Sequence, residues 1–178
     1  MRKRTVSGVL TSAVAAMFAA VFLIAAPSGP SRAADFVVEP LDYDFPAEVE
    51  AAAEEGKTIV VMFIQNGCPY CDKMHKRVFP HPQVNAYYSE HFKLIEVNNK
   101  GSLDVVSHDG EPMNEKDYTE KMRVRATPVF LFLSKDSKEA LKLTGYQDVN
   151  MFLAAGRYVA TEAFADGTSF LSFVRAGR

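Results

Sequence analysis

Between Lys57 and the turn Gln65-Asn66-Gly67 the chain reads Thr-Ile-Val-Val-Met-Phe-Ile, a continuous apolar and β-branched run. Such a run, without polar alternation, predicts a strand over Thr58–Ile64 that is buried on both faces. A strand of that kind needs a covering layer on each side, so the remaining segments have to supply two layers.

They do so in an alternating order. Residues 46–56 are rich in helix formers, with Pro46 suited to a first helical position and Gly56 to the end. A helical pattern runs over 69–79 and resumes after Pro80-His81-Pro82 through 91. A second strand is predicted over 93–98, followed by a long polar connection over 99–114 in which Asp109-Gly110 signals a hairpin turn. Asn114 with Asp117 resembles a helix start, this helix runs to about residue 122, and the charges from Glu115 to Arg125 read as its solvated face. Thr127-Pro128 leads into a buried strand over 129–133, residues 139–146 alternate as its antiparallel partner should, and 148–164 form a last amphipathic helix. Residues 35–45, broken by Pro40, read as irregular. The pattern predicts an α/β domain with a mixed central sheet and helices on both faces.

The N-terminus reads differently. Arg2-Lys3-Arg4 precedes an apolar or small stretch from Val9 to Ala26, with only Thr11 and Ser12 polar, then Pro27-Ser-Gly-Pro30 and a small-residue cleavage pattern, Ser31 and Ala33. These are the parts of a secretory signal. Residues 1–34 are therefore expected to be removed, leaving a domain over 35–178. An uncleaved anchor is the competing reading, since the stretch is borderline for spanning a bilayer. Removal takes away four basic residues, Arg2, Lys3, Arg4 and Arg32, and no acid, so the net charge goes from −2 to −6. The expected location is the periplasm, an oxidising space where thiols tend toward disulfides.

Composition closes several alternatives. A chain that is 48% hydrophobic and 24% charged is neither disordered nor fibrous. Its net charge of −2 gives no support for the clustered basic surface that a nucleic-acid partner requires. With only two cysteines, Cys68 and Cys71, it is not a disulfide scaffold.

Those two cysteines are three residues apart and open the helix after the central strand. A disulfide between them would close a very short ring and constrain the unfolded chain little, which makes stapling a poor explanation. Structural zinc needs further ligands that the sequence does not offer, and Asp72 stands where covalent haem would require His. No metal or cofactor is expected, and His75, one turn beyond Cys71, reads as a lone surface histidine. Redox chemistry fits the placement. A thiol at a helix start lies near unpaired N–H groups that favour the thiolate, and Pro69 sits where its missing N–H is not needed. Cys68 is the candidate attacking thiol and Cys71 the thiol that resolves the mixed disulfide.

Strand, Gly67-Cys68-Pro69-Tyr70-Cys71 opening a helix, Thr127-Pro128 entering a strand, and Gly145-Tyr146 before a last helix together resemble the thioredoxin superfamily over roughly residues 46–164. With the leader, the insertion around Asp109 and the tail Asp166-Gly-Thr-Ser-Phe170, the chain most resembles periplasmic thioredoxins associated with bacterial sulfur-oxidation systems. The resemblance implies a thioredoxin-like fold, a Thr127-Pro128 cis-proline substrate loop, and reduction by a membrane thiol electron donor. Pro69, Tyr70, Thr127 and Pro128 are the candidate substrate-binding residues, and disulfide-bearing periplasmic proteins the expected partners of a soluble monomer. The sequence also departs from the family. Gly67 replaces the usual Trp, Pro-Tyr is the glutaredoxin dipeptide, and Met62 stands where thioredoxins carry a buried Asp, leaving Glu96 and Lys57 as candidates for its task. Three functions stay open on the sequence: a reductase, an oxidase or isomerase, and a thioredoxin-fold binding module that is redox-inert or holds a soft metal such as copper.

Overall fold

The computed structural model describes residues 34–40 and 42–177. All of the predicted leader except Ala34 lies outside them. In chain order the elements are β1 (Val37–Val38), β2 (Tyr43–Asp44), α1 (Phe45–Glu54), β3 (Thr58–Ile64), α2 (Pro69–Lys73), α3 (Pro82–His91), β4 (Phe92–Asn98), β5 (Asp104–Val106), β6 (Pro112–Asn114), α4 (Glu115–Lys121), β7 (Val129–Leu133), β8 (Glu139–Thr144), α5 (Val149–Ala160) and α6 (Phe170–Arg175). The main sheet has the order β1-β4-β3-β7-β8, with β1, β4 and β3 parallel and the last two strands antiparallel. β2, β5 and β6 form a second, small sheet.

The central strand shows why an unbroken apolar run was required. Val60 and Met62 enter one core layer, while Ile59, Val61 and Phe63 enter the layer on the opposite face. The first layer is closed by side chains of α2, α3, α5 and α6, and it includes both cysteines. The second is closed by α1, α4 and β5. Tyr88, Phe130 and Phe132 are fully buried in the first layer, as their helix and strand periods imply. Tyr88 of α3 stacks on Phe152 of α5 with ring centroids 4.2 Å apart and planes 4° from parallel, and its hydroxyl donates to the Phe152 carbonyl oxygen at 2.7 Å.

Helix starts follow side-chain chemistry. Asp44, Asn114 and Asp148 accept from the backbone N–H three residues on, at 3.0, 2.9 and 2.8 Å, which satisfies a donor that has no partner within the helix.

The structure corrects the sequence reading at several places. Residues 35–45 are not wholly irregular, since β1 extends the main sheet beside β4 and β2 pairs with β5. Two-residue strands separated by Pro40 carry no periodicity to read. The helix begun at Pro69 widens into a π-helix over Met74–Val78, closed by Phe79 N–H donating to the Met74 carbonyl at 2.9 Å. The last predicted helix stops at Ala160, and α6 follows it, capped by Ser169 and anchored by buried Phe173. Glu115 does not belong to a solvated helix face. It is 3% exposed and accepts from the N–H groups of Asn98 at 2.9 Å and Leu103 at 3.3 Å, tying α4 to the end of β4.

Candidate active site

The parallel strands β3 and β4 end together, with Ile64 opposite Asn98. Asn99 then joins the two exits: its N–H donates to the Ile64 carbonyl at 2.8 Å and its side-chain amide to Gln65 Oε1 at 3.2 Å. The turn that follows reaches a φ of +71° at Gly67, a left-handed conformation natural to glycine and strained for other residues. An added Cβ there would meet nothing within 4 Å, so the demand is conformational and not steric. The conformation accounts for a glycine at this position.

The turn delivers Cys68 to the N-cap of α2. Cys68 and Cys71 form a disulfide, with Cα atoms 5.3 Å apart. Cys68 Sγ accepts from the Cys71 backbone N–H at 3.1 Å and from the Thr127 hydroxyl at 3.2 Å. Both donors are neutral. Both cysteines are nearly covered, at 3% and 6% exposure, whereas Pro69 is exposed and Tyr70 is 57% exposed between them. The ring of Tyr70 thus stands out from the surface beside a sheltered disulfide.

Thr127 and Pro128 come from the opposite side of the sequence, at the entry to β7, and the peptide bond between them is cis. Pro128 is buried and Thr127 half-buried. The Pro128 carbonyl accepts from Gly145 N–H at 2.7 Å, so it is already occupied. The same contact brings Tyr146 to the site, where Lys73 Nζ lies 3.9 Å from the ring centroid in a cation–π arrangement. The four cysteine and loop residues read from the sequence are therefore gathered at one place. The Lys73–Tyr146 contact, which closes the rim, has no sequence signal because it joins residues 73 positions apart.

The two candidates for the task of the missing buried acid separate cleanly. Lys57 precedes β3 at the end away from Cys68 and pairs with Glu55 at 3.3 Å. Glu96 lies on β4 directly beside Met62, on the sheet face that carries the cysteines. There it bonds His75 Nε2 at 2.7 Å, so His75 is not a lone surface histidine.

The hydrogen bond to Glu96 is the main cause holding His75 above its ordinary value. Burial pulls the other way, and the charges of Glu96 and Asp72 add to the rise. Because the folded value is raised, the pair's stabilisation is fully present below about pH 6.5 and is lost as pH rises through the folded value. The stability gap between the native protein and His75→Gln should therefore be larger at about pH 5.5 than at about pH 8.5 when followed by thermal unfolding. An equal gap at both would exclude this coupling.

With the fold and the site described, the relatives can be placed beside them. The thioredoxin-like domain family matches residues 45–160. A thioredoxin-fold protein from Helicobacter pylori superposes with a TM-score of 0.59 at 21% identity, covering 72% of this chain and 91% of that one. A thioredoxin from Thermus thermophilus does so with a TM-score of 0.56 at 25% identity, covering 71% and 91%. No curated protein matches the chain. The family match spans more than half of the sequence, its limits enclose α1 through α5, and it contains both cysteines and the Thr127-Pro128 loop: the chain belongs to the thioredoxin-like domain family.

Proposed function

We propose that this chain is a periplasmic thiol-disulfide oxidoreductase that reduces protein disulfides and is itself kept reduced by a dithiol donor of the membrane. The observation that carries the reading is Cys68 at a helix start, bonded to Cys71 and accepting hydrogen bonds on its sulfur from the Cys71 N–H and the Thr127 hydroxyl. In the reduced pair those donors favour a Cys68 thiolate.

The thiolate attacks one sulfur of a substrate disulfide. A Cys68–substrate bond forms, the substrate's own S–S bond breaks, and one substrate sulfur leaves as thiolate. Cys71 then loses its proton and attacks Cys68 Sγ, forming Cys68–Cys71 and releasing the second substrate sulfur. Two electrons have passed to the substrate, and the membrane dithiol returns two electrons to the pair. Tyr70 and the Thr127-Pro128 loop frame the approach to Cys68, and Pro69 holds the helix start.

The reductase direction rests on the resemblance to periplasmic thioredoxins of sulfur-oxidation systems. It is also supported by the neutral character of both donors at Cys68 Sγ, since a cationic partner would stabilise the thiolate more and raise the oxidising power. The secretory-signal pattern read in residues 1–34 of the sequence supports the location. A reduction potential nearer to about −270 than about −120 mV, with catalysis of insulin reduction, is the expected result. A potential near the oxidising end without reductase activity would overturn it.

A further inference from the structure

If Cys68 and Cys71 work as a dithiol, as proposed above, Cys71 has to lose a proton before it attacks Cys68 Sγ. Cys71 is only 6% exposed, so water does not take that proton freely. Met62, packed in the same core layer, is apolar and accepts none. The polar group on that face is the neighbour of Met62 across the sheet, Glu96, whose Oε1 lies 2.7 Å from His75 Nε2.

His75 is four residues beyond Cys71, one turn along the helix that the cysteines open, which puts the two on one side of it. Helical side chains lean toward the helix N-terminus, and this aims the imidazole back at the turn carrying Cys71 and Asp72. The ring is held there from two directions. Glu96 bonds it from the sheet, and Phe79, a member of the core layer that contains both cysteines, meets it edge-on at 5.0 Å. The side chains of His75 and Glu96 are 39% and 28% exposed, so the pair spans from the buried thiol to solvent.

The bond to Glu96 also sets the tautomer. With Nε2–H donating to the carboxylate, Nδ1 of the neutral ring carries the free lone pair. The other charged groups facing the pair are Asp72, ion-paired with Lys76 at 3.2 Å on the helix, and Glu39 and Glu115, which line a cleft with Tyr43 and Glu96 on the sheet side. The Glu96 hydrogen bond, against burial and aided by the charges of Glu96 and Asp72, raises the affinity of His75 for a proton.

We infer that His75 Nδ1 accepts the Cys71 proton in the resolving step and that Glu96 is the positioning residue of the ring, making Cys71, His75 and Glu96 a relay of nucleophile, base and carboxylate. The Cys71 S–H bond breaks and its proton passes to Nδ1. The Cys71 sulfur bonds Cys68 Sγ, the bond from Cys68 to the substrate breaks, and the departing thiolate takes a proton from the imidazolium or from water.

The test mixes reduced protein, in excess, with dithiobis-nitrobenzoate in stopped flow. The first release of coloured thiolate reports attack by Cys68 and the second reports resolution by Cys71. The ratio of the two rates isolates the second step. In the native protein the second release should rise with pH through a value above about 6.5, the folded value of His75. His75→Gln should slow it about 100-fold relative to the first release at about pH 7, and should approach the native rate well above about pH 8.5, where a thiol ionises unaided. Glu96→Gln should move the rise to lower pH, because the bond that raises His75 is weakened; a purely structural role would not move it. Circular dichroism confirms that both variants fold. A second release in His75→Gln within about 2-fold of native across this range would overturn the inference and leave the dithiol reading standing. Absence of any second release from the native protein removes the dithiol reading and this inference with it.

Discussion

Cys68→Ser is expected to abolish thiol-disulfide turnover, while Cys71→Ser should convert the protein into a trap that accumulates covalent adducts with its substrates. The asymmetry follows from position. Cys68 is the residue at the helix N-cap whose sulfur receives the Cys71 N–H and the Thr127 hydroxyl, and it lies beside exposed Tyr70. Serine there supplies a hydroxyl that stays protonated and does not attack a disulfide. At position 71 the same change leaves the first attack intact and removes the sulfur that would release the adduct. Adducts of Cys71→Ser should appear on non-reducing gels, disappear with a thiol reductant, and be absent from the double variant. Turnover above about a tenth of the native rate in Cys68→Ser would assign the attack elsewhere.

Phe152→Ala should produce the largest loss of stability of any single core truncation near the site. Phe152 stacks on Tyr88 at 4.2 Å and also meets Phe130 at 5.1 Å and Phe79 at 5.5 Å, joining α5 to α3, to the sheet and to the helix that carries the cysteines. Removing such a ring forfeits its transfer free energy and leaves a cavity, about 3–5 kcal/mol together. For a domain of this size that lowers the melting temperature by about 6–20 °C. Phe152→Leu, which keeps most of the volume, should cost clearly less. A loss below about 1 kcal/mol for Phe152→Ala in denaturant unfolding would show that the layer collapses to fill the gap.

Much of this protein is legible in its residues, for local reasons. The unbroken run Thr58–Ile64 allows only a strand covered on both sides, and the structure gives it those boundaries. Asn114 and Asp148 announce helix starts because their side chains bond backbone donors three residues away, a contact that depends on nothing distant. The Asp109-Gly110 turn between short segments became the β5–β6 hairpin, with Gly110 at a φ of +86°. Glu115 was misread because its charge looks like that of its neighbours, and only the backbone N–H groups of Asn98 and Leu103, brought over by the fold, make its burial tolerable. The tail after residue 164 gave no period long enough to reveal α6.

At the site the same division holds. The sequence alone determined the alternation of strands and helices, the pair Cys68 and Cys71 at a helix start, and the Thr127-Pro128 entry to a buried strand, because each is written in neighbouring residues. Tertiary structure decided which distant groups meet that pair. It brought the Thr127 hydroxyl to Cys68 Sγ, set Lys73 over Tyr146, joined His75 to Glu96, and sent Lys57 to the far end of the sheet. Those pairings depend on the register between β3 and β4 and on the widened helix turn over Met74–Val78, and register is a property of two strands packed together, which neither strand carries by itself.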